Sequence, residues 1–314
     1  MRILTAISEL SSLRGPIHLA VGVFDGVHLG HRAVIMRALE GAGASGGSAV
    51  VLTFDPHPAS VLRPGQNPRL LASLRHKARL ISALGIEHLL VLTFDADFAA
   101  VAASAFIEDL VRAARPLAQI CVGEDWRFGK GRVGNAELLE TLGRKYGFAL
   151  AAVPAVKTPT GEIVSSTRVR EAIQQGDLDH ASLLLGHEYT VLGEVIEGRR
   201  LGRSLGFPTA NLRVFNEELP PNGVYAIRAA RDGRLHAGVG NLGLRPTLED
   251  ATERRLLEVH LFDFGESIYG EELEVHFVRH LRPERKFENL EALKEQIGRD
   301  AEEARRWLGL SETG

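Results

Sequence analysis

The sequence predicts an α/β protein with two domains: a parallel β-sheet domain, then a small antiparallel β-barrel that ends in a helix. Three observations lead to this prediction. At 314 residues the chain is longer than one compact domain usually is. Short apolar runs alternate with helical patterns until about residue 156, whereas from Tyr189 onward strands follow one another until a final helical pattern. The change near Gly186 predicts domains at residues 1–185 and 186–314.

Composition limits the classes of function. Apolar residues make up 45% and charged residues 25%, which is the balance of a globular protein. Because the formal net charge is only -3, we expect neither nucleic acid nor a membrane surface as a partner. Cys121 is the single cysteine, which excludes an internal disulfide, and we interpret it as a buried apolar side chain. Without a spanning apolar stretch or an apolar signal core, a cytoplasmic location is expected. The oligomeric state stays open.

In the first domain, apolar runs predict the strands of a parallel sheet that helices cover on both faces. These strands are His18–Phe24, Ala49–Phe54, His88–Phe94, Gln119–Gly123 and Phe148–Val156. Helical spacing predicts Arg32–Glu40, Leu70–Leu84, Ala99–Ala114 and Ala136–Tyr146, then the pair Ser166–Gln175 and Asp177–Leu185. Ligands of such folds bind beyond the carboxyl ends of the strands, so the segments that follow these strands are where we expect a site.

The second domain is predicted from strands that are not separated by helices. They are Tyr189–Glu197, Val224–Ala230, Leu235–Val239, Leu256–Phe262 and Leu273–Val278. The dipeptide Asp232-Gly233 is typical of a hairpin turn, and Leu290–Leu308 is the pattern of a final helix. Several strands capped by one helix indicate a small antiparallel barrel.

The first candidate site is the segment Gly22–His31, with sequence GVFDGVHLGH, in which a strand runs through a glycine-bearing turn into a helix. His28 and His31 are three residues apart at the helix start, so their side chains lie on one face beside unpaired backbone N–H groups. Helix starts attract anions, and Gly30 allows close approach of a phosphate. We therefore predict that the two imidazoles donate to a phosphate during its reaction. Helix capping and zinc binding remain alternatives, although no third zinc ligand cluster accompanies the pair.

Three further segments carry a family pattern: Thr53–Pro58 (TFDPHP), Gly123–Gly129 (GEDWRFG) and Ser165–Arg170 (SSTRVR). With the His-x-Gly-His motif they resemble the bacterial FAD synthetases of the nucleotidyltransferase superfamily, whose fold is Rossmann-like. Trp126 is a departure, since the family often has Phe there. The resemblance assigns catalysis to His28 and His31, and it implies ATP binding by Gly22, Phe24, Asp25, Gly30, Ser166, Thr167 and Arg170. It also implies FMN binding by Asp55, His57, Asp125 and Phe128.

The second candidate site begins in the stretch Gly198–Leu212, with sequence GRRLGRSLGFPTANL. Glycines free backbone N–H groups for phosphate contact, and the side-chain oxygens of Thr209 and Asn211 suit Mg²⁺. A basic, glycine-rich loop is by itself more often a solvated turn, but the whole pattern resembles riboflavin kinase. The resemblance implies ATP binding by Gly202, Gly206, Thr209 and Asn211, with Mg²⁺ at the last two.

A strand downstream resembles the kinase strand that bears the catalytic glutamate, which corresponds to Glu258 in Leu257–Phe264. Alternation places Leu257 and Val259 on one face and Glu258 on the other. Without the family pattern, a solvent-facing sheet residue would be the simpler interpretation. With it, Glu258 is predicted to act as the base on the ribityl 5′-hydroxyl of riboflavin.

The resemblance covers about residues 18–308 and implies a bifunctional bacterial riboflavin kinase/FAD synthetase. Such an enzyme phosphorylates riboflavin to FMN with ATP, and then adenylylates FMN to FAD with release of pyrophosphate, using Mg²⁺ in both steps. Two other functions remain open: adenylylation of a different phosphomonoester, and flavin-dependent regulation with inactive sites. The Pro-Thr-Ala-Asn segment counts against the first, and the intact candidate residues count against the second.

Overall fold

The computed structural model describes residues 1–197, 206–246 and 253–310 and divides the chain into two compact units. Unit 1 comprises Met1–Arg69 and Leu74–Ser166, and unit 2 comprises Leu70–Ser73 and Thr167–Gly314. The predicted fold class, a parallel sheet domain followed by an antiparallel barrel with a C-terminal helix, is confirmed. Within the described ranges, no helix has both the length and the apolar character to cross a membrane.

Unit 1 is built on a sheet whose neighbouring strands all run parallel. The strands are β1 (Arg2–Leu4), β2 (Ile17–Val21), β3 (Ser48–Asp55), β4 (His88–Thr93), β5 (Leu117–Gly123) and β6 (Ala149–Val153). The helices are α1 (Leu29–Ser45), α2 (Pro58–Leu62), α3 (Leu74–Ser82), α4 (Ala96–Ala99), α5 (Ala103–Ala113) and α6 (Ala136–Tyr146). Short 3₁₀ turns occupy Ile7–Ser12 and Lys130–Arg132.

The spatial strand order β1-β4-β3-β2-β5-β6 determines where a ligand can bind in unit 1. From β2 the chain builds outward on one side through β3 and β4, and then on the other side through β5 and β6. Both faces of the sheet are covered, because Leu19 and Ile120 belong to one buried cluster while Ala20 and Cys121 belong to another. The switch in direction therefore lies at the carboxyl ends of β2 and β5, which is where open α/β sheets bind ligands.

Unit 2 contains a closed antiparallel barrel, with strand order β10-β11-β8-β7-β12-β9 in the described residues. Its strands are β7 (Tyr189–Ile196), β8 (Ala210–Val214), β9 (Gly223–Arg231), β10 (Arg234–Pro246), β11 (Glu253–Leu261) and β12 (Glu272–Arg282). Its helices are α7 (Ser166–Gln175), whose first residue still belongs to unit 1, α8 (Leu178–Leu185) and the C-terminal α9 (Leu290–Trp307).

Three differences from the predicted elements have physical reasons. The edge strand β1 has only three residues, which is too short for a recognisable alternation. Strand β8 buries Leu212 alone, so its apolar pattern is lost in a stretch dominated by glycine and arginine. The helix predicted from Leu70 begins at Leu74, because residues 70–73 form part of unit 2.

Residues 70–73 are bound into unit 2 by several hydrogen bonds. The backbone N–H of Leu70 donates to a carboxylate oxygen of Glu217 at 2.9 Å, and the Leu70 carbonyl accepts the N–H groups of Glu217 and Glu218 at 3.0 Å each. The next carbonyl, that of Leu71, accepts the Asn216 side-chain amide at 2.5 Å and the Tyr189 hydroxyl at 3.4 Å. A tetrapeptide from the front half of the sequence is thus part of the second compact unit.

We expect Asn216→Ala to lower the free energy of unfolding of unit 2 by about 2–4 kcal/mol. The buried Asn216 oxygen accepts the Leu192 N–H at 3.0 Å, while its amide donates to the carbonyls of Leu71 and Thr190. Removal of the side chain leaves these buried groups short of a partner, at a cost of about 1–3 kcal/mol for each unsatisfied group. Urea unfolding of the full chain measures the change. Arg234→Ala, at the exposed first residue of β10, is the control, and an equally small effect of both variants would contradict the prediction.

Candidate active sites

The turn between β2 and α1 has an unusual backbone. Phe24 and Val27 have positive φ angles of 52° and 44°, although both carry side chains, and Gly26 lies at 84°. The Phe24 ring is buried over Gly22, where a Cβ atom would meet the ring at 2.9 Å. Such backbone conformations persist only where the surroundings fix them. The predicted ATP residues Gly22 and Phe24 therefore shape this turn, and Phe24 as a whole residue is only 1% exposed.

The two histidines of the motif lie together at the start of α1. His28 is the N-cap residue, and its Nδ1 accepts the backbone N–H of His31 at 3.3 Å. The two rings stack with centroids 3.5 Å apart and planes 17° from parallel, and the Phe24 ring meets His31 edge-on. The side chains of His28 and His31 therefore lie on one face of the helix start, as predicted. Among the residues that the structure describes, no group of three His, Cys, Asp or Glu side chains could hold a metal, so the zinc alternative lacks a protein ligand set there.

The segments predicted to join this motif follow neighbouring strands. Asp55 ends β3, on one side of β2, and Asp125 follows β5 on the other side; both are exposed. His57 caps α2, because its Nδ1 accepts the Ala59 N–H at 3.0 Å. The Ser166 hydroxyl donates to the Asp25 carbonyl at 2.9 Å, so this serine holds the last segment of unit 1 against the turn. Thr167 and Arg170 follow it on α7, in the residues assigned to unit 2.

The aromatic residues after β5 differ in their access to a ligand. Phe128 is only 7% exposed, and its ring closes the space over Gly134, where a Cβ atom would meet it at 2.7 Å. Trp126 stacks on that ring with centroids 4.4 Å apart and remains half-buried. Sequence reasoning selected Phe128 and treated Trp126 as a departure from the pattern. In the structure, Trp126 is the ring of this pair that has an exposed part.

The second site is a polar row across three strands of the barrel. Glu258 of β11 lies directly opposite Asn211 of β8 and directly opposite Asn241 of β10. Directly opposite residues in an antiparallel pair share a face of the sheet. Leu257 and Val259 are buried on the other face, so the predicted alternation is confirmed. Asn241 was not selected from the sequence, because without strand register nothing connects it to Glu258.

A cavity of about 350 Å³ includes Thr209 in its lining, while the β11 residues that line it, Val259 and Leu261, lie on the face opposite to Glu258. Its lining includes Pro208, Thr209 and Ala210, together with apolar residues of β11 and the loop that follows. Nδ1 of His260 is 2.8 Å from the Pro208 carbonyl oxygen, which fixes the segment before β8. Gly206 is exposed with φ 88°, and Gly202 lies outside the described residues. The oxygens of Thr209 and Asn211 are of the hard type that Mg²⁺ prefers, so these residues fit the implied metal.

Cys121 has no part in either site. It is fully buried in unit 1, and this burial raises the pKa of its thiol to about 12. Because the thiolate is the reactive form, we expect no reaction with a thiol-specific disulfide reagent at pH 8 in the folded protein, and one equivalent after denaturation. Rapid modification of the native protein would show that the thiol becomes accessible.

Comparison with known proteins gives a consistent result for both halves. Residues 11–168 match the family model described as FAD synthetase, and residues 185–308 match the model described as riboflavin kinase. The chain is 38% identical over 294 residues to the bifunctional riboflavin kinase/FMN adenylyltransferase of Escherichia coli K12, covering 93% of each protein. It is 37% identical to the protein of the same name from Bacillus subtilis, covering 92% of each. A solved structure titled as a macrolide-efflux protein from Streptococcus pneumoniae aligns with a TM-score of 0.82 and 29% identity, over 98% of this chain and all of that one.

Proposed function

The chain belongs to the family of bifunctional riboflavin kinase/FMN adenylyltransferases, and we propose that its two activities reside in the two sites described above. It phosphorylates riboflavin to FMN and adenylylates FMN to FAD. The observation that carries the assignment of sites is that each matched stretch contains one polar constellation: the histidine pair within residues 11–168 and the Glu258 row within residues 185–308. We retain 1–185 and 186–314 as the functional domains and a cytoplasmic location as part of the proposal.

In the adenylyltransferase site, an oxygen of the FMN phosphate attacks the α-phosphorus of ATP, and pyrophosphate leaves. The nucleophile is already an anion, so positioning and charge stabilisation are the main requirements. His28 and His31 donate to the reacting phosphate, next to the backbone N–H groups at the start of α1. ATP is held by the turn around Gly22–Gly30 and by the α7 segment with Ser166, Thr167 and Arg170.

The flavin side of this site is formed by Asp55, His57 and Asp125, at the ends of β3 and β5. We assign ring stacking on the isoalloxazine to Trp126, with Phe128 as the buried layer beneath it. Offset stacking of flat rings is a favourable arrangement of aromatic groups, and Phe128 supports the Trp126 ring from its buried side.

In the kinase site, Glu258 accepts the proton of the ribityl 5′-hydroxyl while the oxygen of that hydroxyl attacks the γ-phosphorus of ATP and ADP leaves. Asn211 and Thr209 are the residues that would hold Mg²⁺, and Gly202 and Gly206 contribute backbone N–H groups to the nucleotide. When bound, Mg²⁺ neutralises charge on the phosphate oxygens. Asn211 and Asn241 flank Glu258 on the face that the three strands share.

Product analysis separates this proposal from its alternatives. The protein is incubated with riboflavin and Mg-ATP, and the flavins are separated by chromatography over time. We expect FMN to appear first and FAD to follow. FMN without FAD would support the kinase activity and contradict the FMN adenylyltransferase activity. A parallel assay with phosphopantetheine would then test whether a different phosphomonoester is the substrate. Neither product from demonstrably folded protein would support a flavin-binding regulator.

A further inference from the structure

A lysine is buried beneath the adenylyltransferase site. Lys77 lies on α3 and is only 6% exposed. Its Nζ donates to the carbonyl oxygen of Val23 at 2.7 Å and lies 3.5 Å from the hydroxyl of Thr53. The Thr53 hydroxyl donates to the same carbonyl at 2.9 Å. The carbonyl of Val23, just after β2, is therefore held by two donors, one from the neighbouring strand β3 and one from α3.

This carbonyl lies immediately before the turn with positive φ angles. Val23 precedes Phe24, the first of the residues with positive φ in the turn that leads to His28. The Val23 carbonyl belongs to the peptide bond between Val23 and Phe24. The two hydrogen bonds therefore fix the orientation of the peptide plane at which the turn begins. The hydrogen bonds therefore act on the path of the backbone into the histidine pair, although Lys77 itself touches neither histidine in the described contacts.

The positive charge of Lys77 also interacts with carboxylates of this site. Burial lowers the pKa of its ammonium group through loss of solvation, and the nearby carboxylates of Asp25 and Asp55 oppose that shift. Asp25 belongs to the turn, and Asp55 ends β3. These residues are the ones assigned to the ATP side and the FMN side. Lys77 thus places a buried positive charge near two carboxylates that the proposed function assigns to the two phosphate-bearing substrates.

A structural role alone is a weak explanation for a charged group in this position. A buried charge is expensive to desolvate, and replacement of a whole buried ion pair by apolar residues of similar volume is often neutral or stabilising. Methionine is an unbranched side chain that suits a buried helix position, and Lys77 lies on the same helix as the buried Ala78 and Ile81. The charge and its hydrogen bond are what methionine cannot supply.

We propose that Lys77 is a positioning residue for adenylyl transfer, which fixes the turn before His28 through the Val23 carbonyl and balances the charges of Asp25 and Asp55. The inference rests on the proposed function, since that function assigns these carboxylates to substrate binding. Lys77 acts through the turn and not by contact with ATP or FMN. Its loss should consequently lower the rate of the chemical step more than it weakens substrate binding.

The test compares Lys77→Met, Lys77→Arg and the matched control Arg79→Met, which changes an exposed residue of the same helix. FAD formation from supplied FMN is measured at varied FMN and ATP, together with the thermal unfolding midpoint. For Lys77→Met we expect kcat per folded molecule to fall about 10²-fold, as for a misplacement of about 1 Å, with smaller changes in KM. The midpoint is expected to fall, because Asp25 stays buried after the nearby cation is removed. Lys77→Arg keeps the charge and should recover most of the rate. Arg79→Met should match the original protein.

Kinase activity of the same molecules provides an internal standard, because it should be equal in all three variants. Three results would overturn the inference: Lys77→Met with adenylylation within threefold of the original protein, a lowered midpoint with the rate per folded molecule preserved, or a charged variant as slow as the methionine variant. If Lys77→Met does not fold, Lys77→Gln and Lys77→Arg decide the question by the same criteria. Failure of the original protein to make FAD would instead remove the proposed function itself.

Discussion

Replacement of both His28 and His31 by alanine is expected to stop the protein at FMN when it is given riboflavin and ATP. Loss of one hydrogen-bond donor to a developing charge costs about 2.7–4 kcal/mol, or about 10²–10³ in rate, so the double variant should lose at least this much. The kinase residues belong to a different stretch of the chain, and FMN should accumulate at the normal rate. Chromatography of the flavins over time measures both effects in one reaction.

The structure supplies a control for this experiment, because His28 also caps α1. Loss of an N-cap costs about 0.5–2 kcal/mol of stability, so the alanine variant should also unfold at a somewhat lower temperature. His28→Asn retains a good capping side chain but removes the imidazole. If this variant made FAD at the original rate, capping would be the only role of His28. Bound zinc in the purified protein, with inhibition by a zinc-selective chelator in excess Mg²⁺, would instead favour a metal site.

Glu258→Gln should abolish most of the kinase activity and leave adenylylation intact. Glutamine nearly preserves the shape of the side chain but cannot accept the proton, and loss of a general base costs about 10²–10⁴ in rate. We therefore expect FMN formation to fall by at least about 10²-fold. FAD formation from supplied FMN is the internal reference for intact protein.

The cross-strand neighbours of Glu258 help to interpret that result. Asn211→Ala should shift the dependence of FMN formation on magnesium concentration, since Asn211 is a proposed metal ligand. Glu258→Gln should leave that dependence in place and lower the rate at saturating magnesium. Full kinase activity in Glu258→Gln would show that the carboxylate is not the base.

Much of the fold could be predicted because its signals are local. The apolar runs of β2, β3 and β5 are continuous, as expected for strands buried on both faces, and the helices between them show clear periodicity. The histidine pair, the Thr209–Asn211 segment and Glu258 were likewise visible as contiguous motifs. Strand ends in a parallel sheet meet at one edge, so even the convergence of distant segments followed from the alternation of elements.

The remainder depends on contacts between distant residues, which no short pattern encodes. Lys77 resembles any charged residue of an amphipathic helix, although its spacing from Leu74 and Ile81 places it on the apolar face. Asn241 becomes relevant only through its register with Glu258. The burial of Phe128 beneath Trp126 depends on a backbone bridge to Gly134 within the same segment between β5 and α6, and no short apolar pattern indicates this bridge.

The position of residues 70–73 in unit 2 bears on how such a protein could be divided into two. A gene split after residue 185 would give each product a continuous sequence, but the second product would lack the tetrapeptide that supplies hydrogen-bond partners to Asn216, Glu217 and Glu218. A monofunctional descendant of this kinase would need new residues at that place, or would have to tolerate several buried polar groups without partners. The motifs of the two activities follow one another along the sequence without overlap. The two compact units do not, because residues 70–73 lie within the sequence of unit 1 but belong to unit 2. Fission and domain transplantation should therefore be harder for this chain than its linear map indicates.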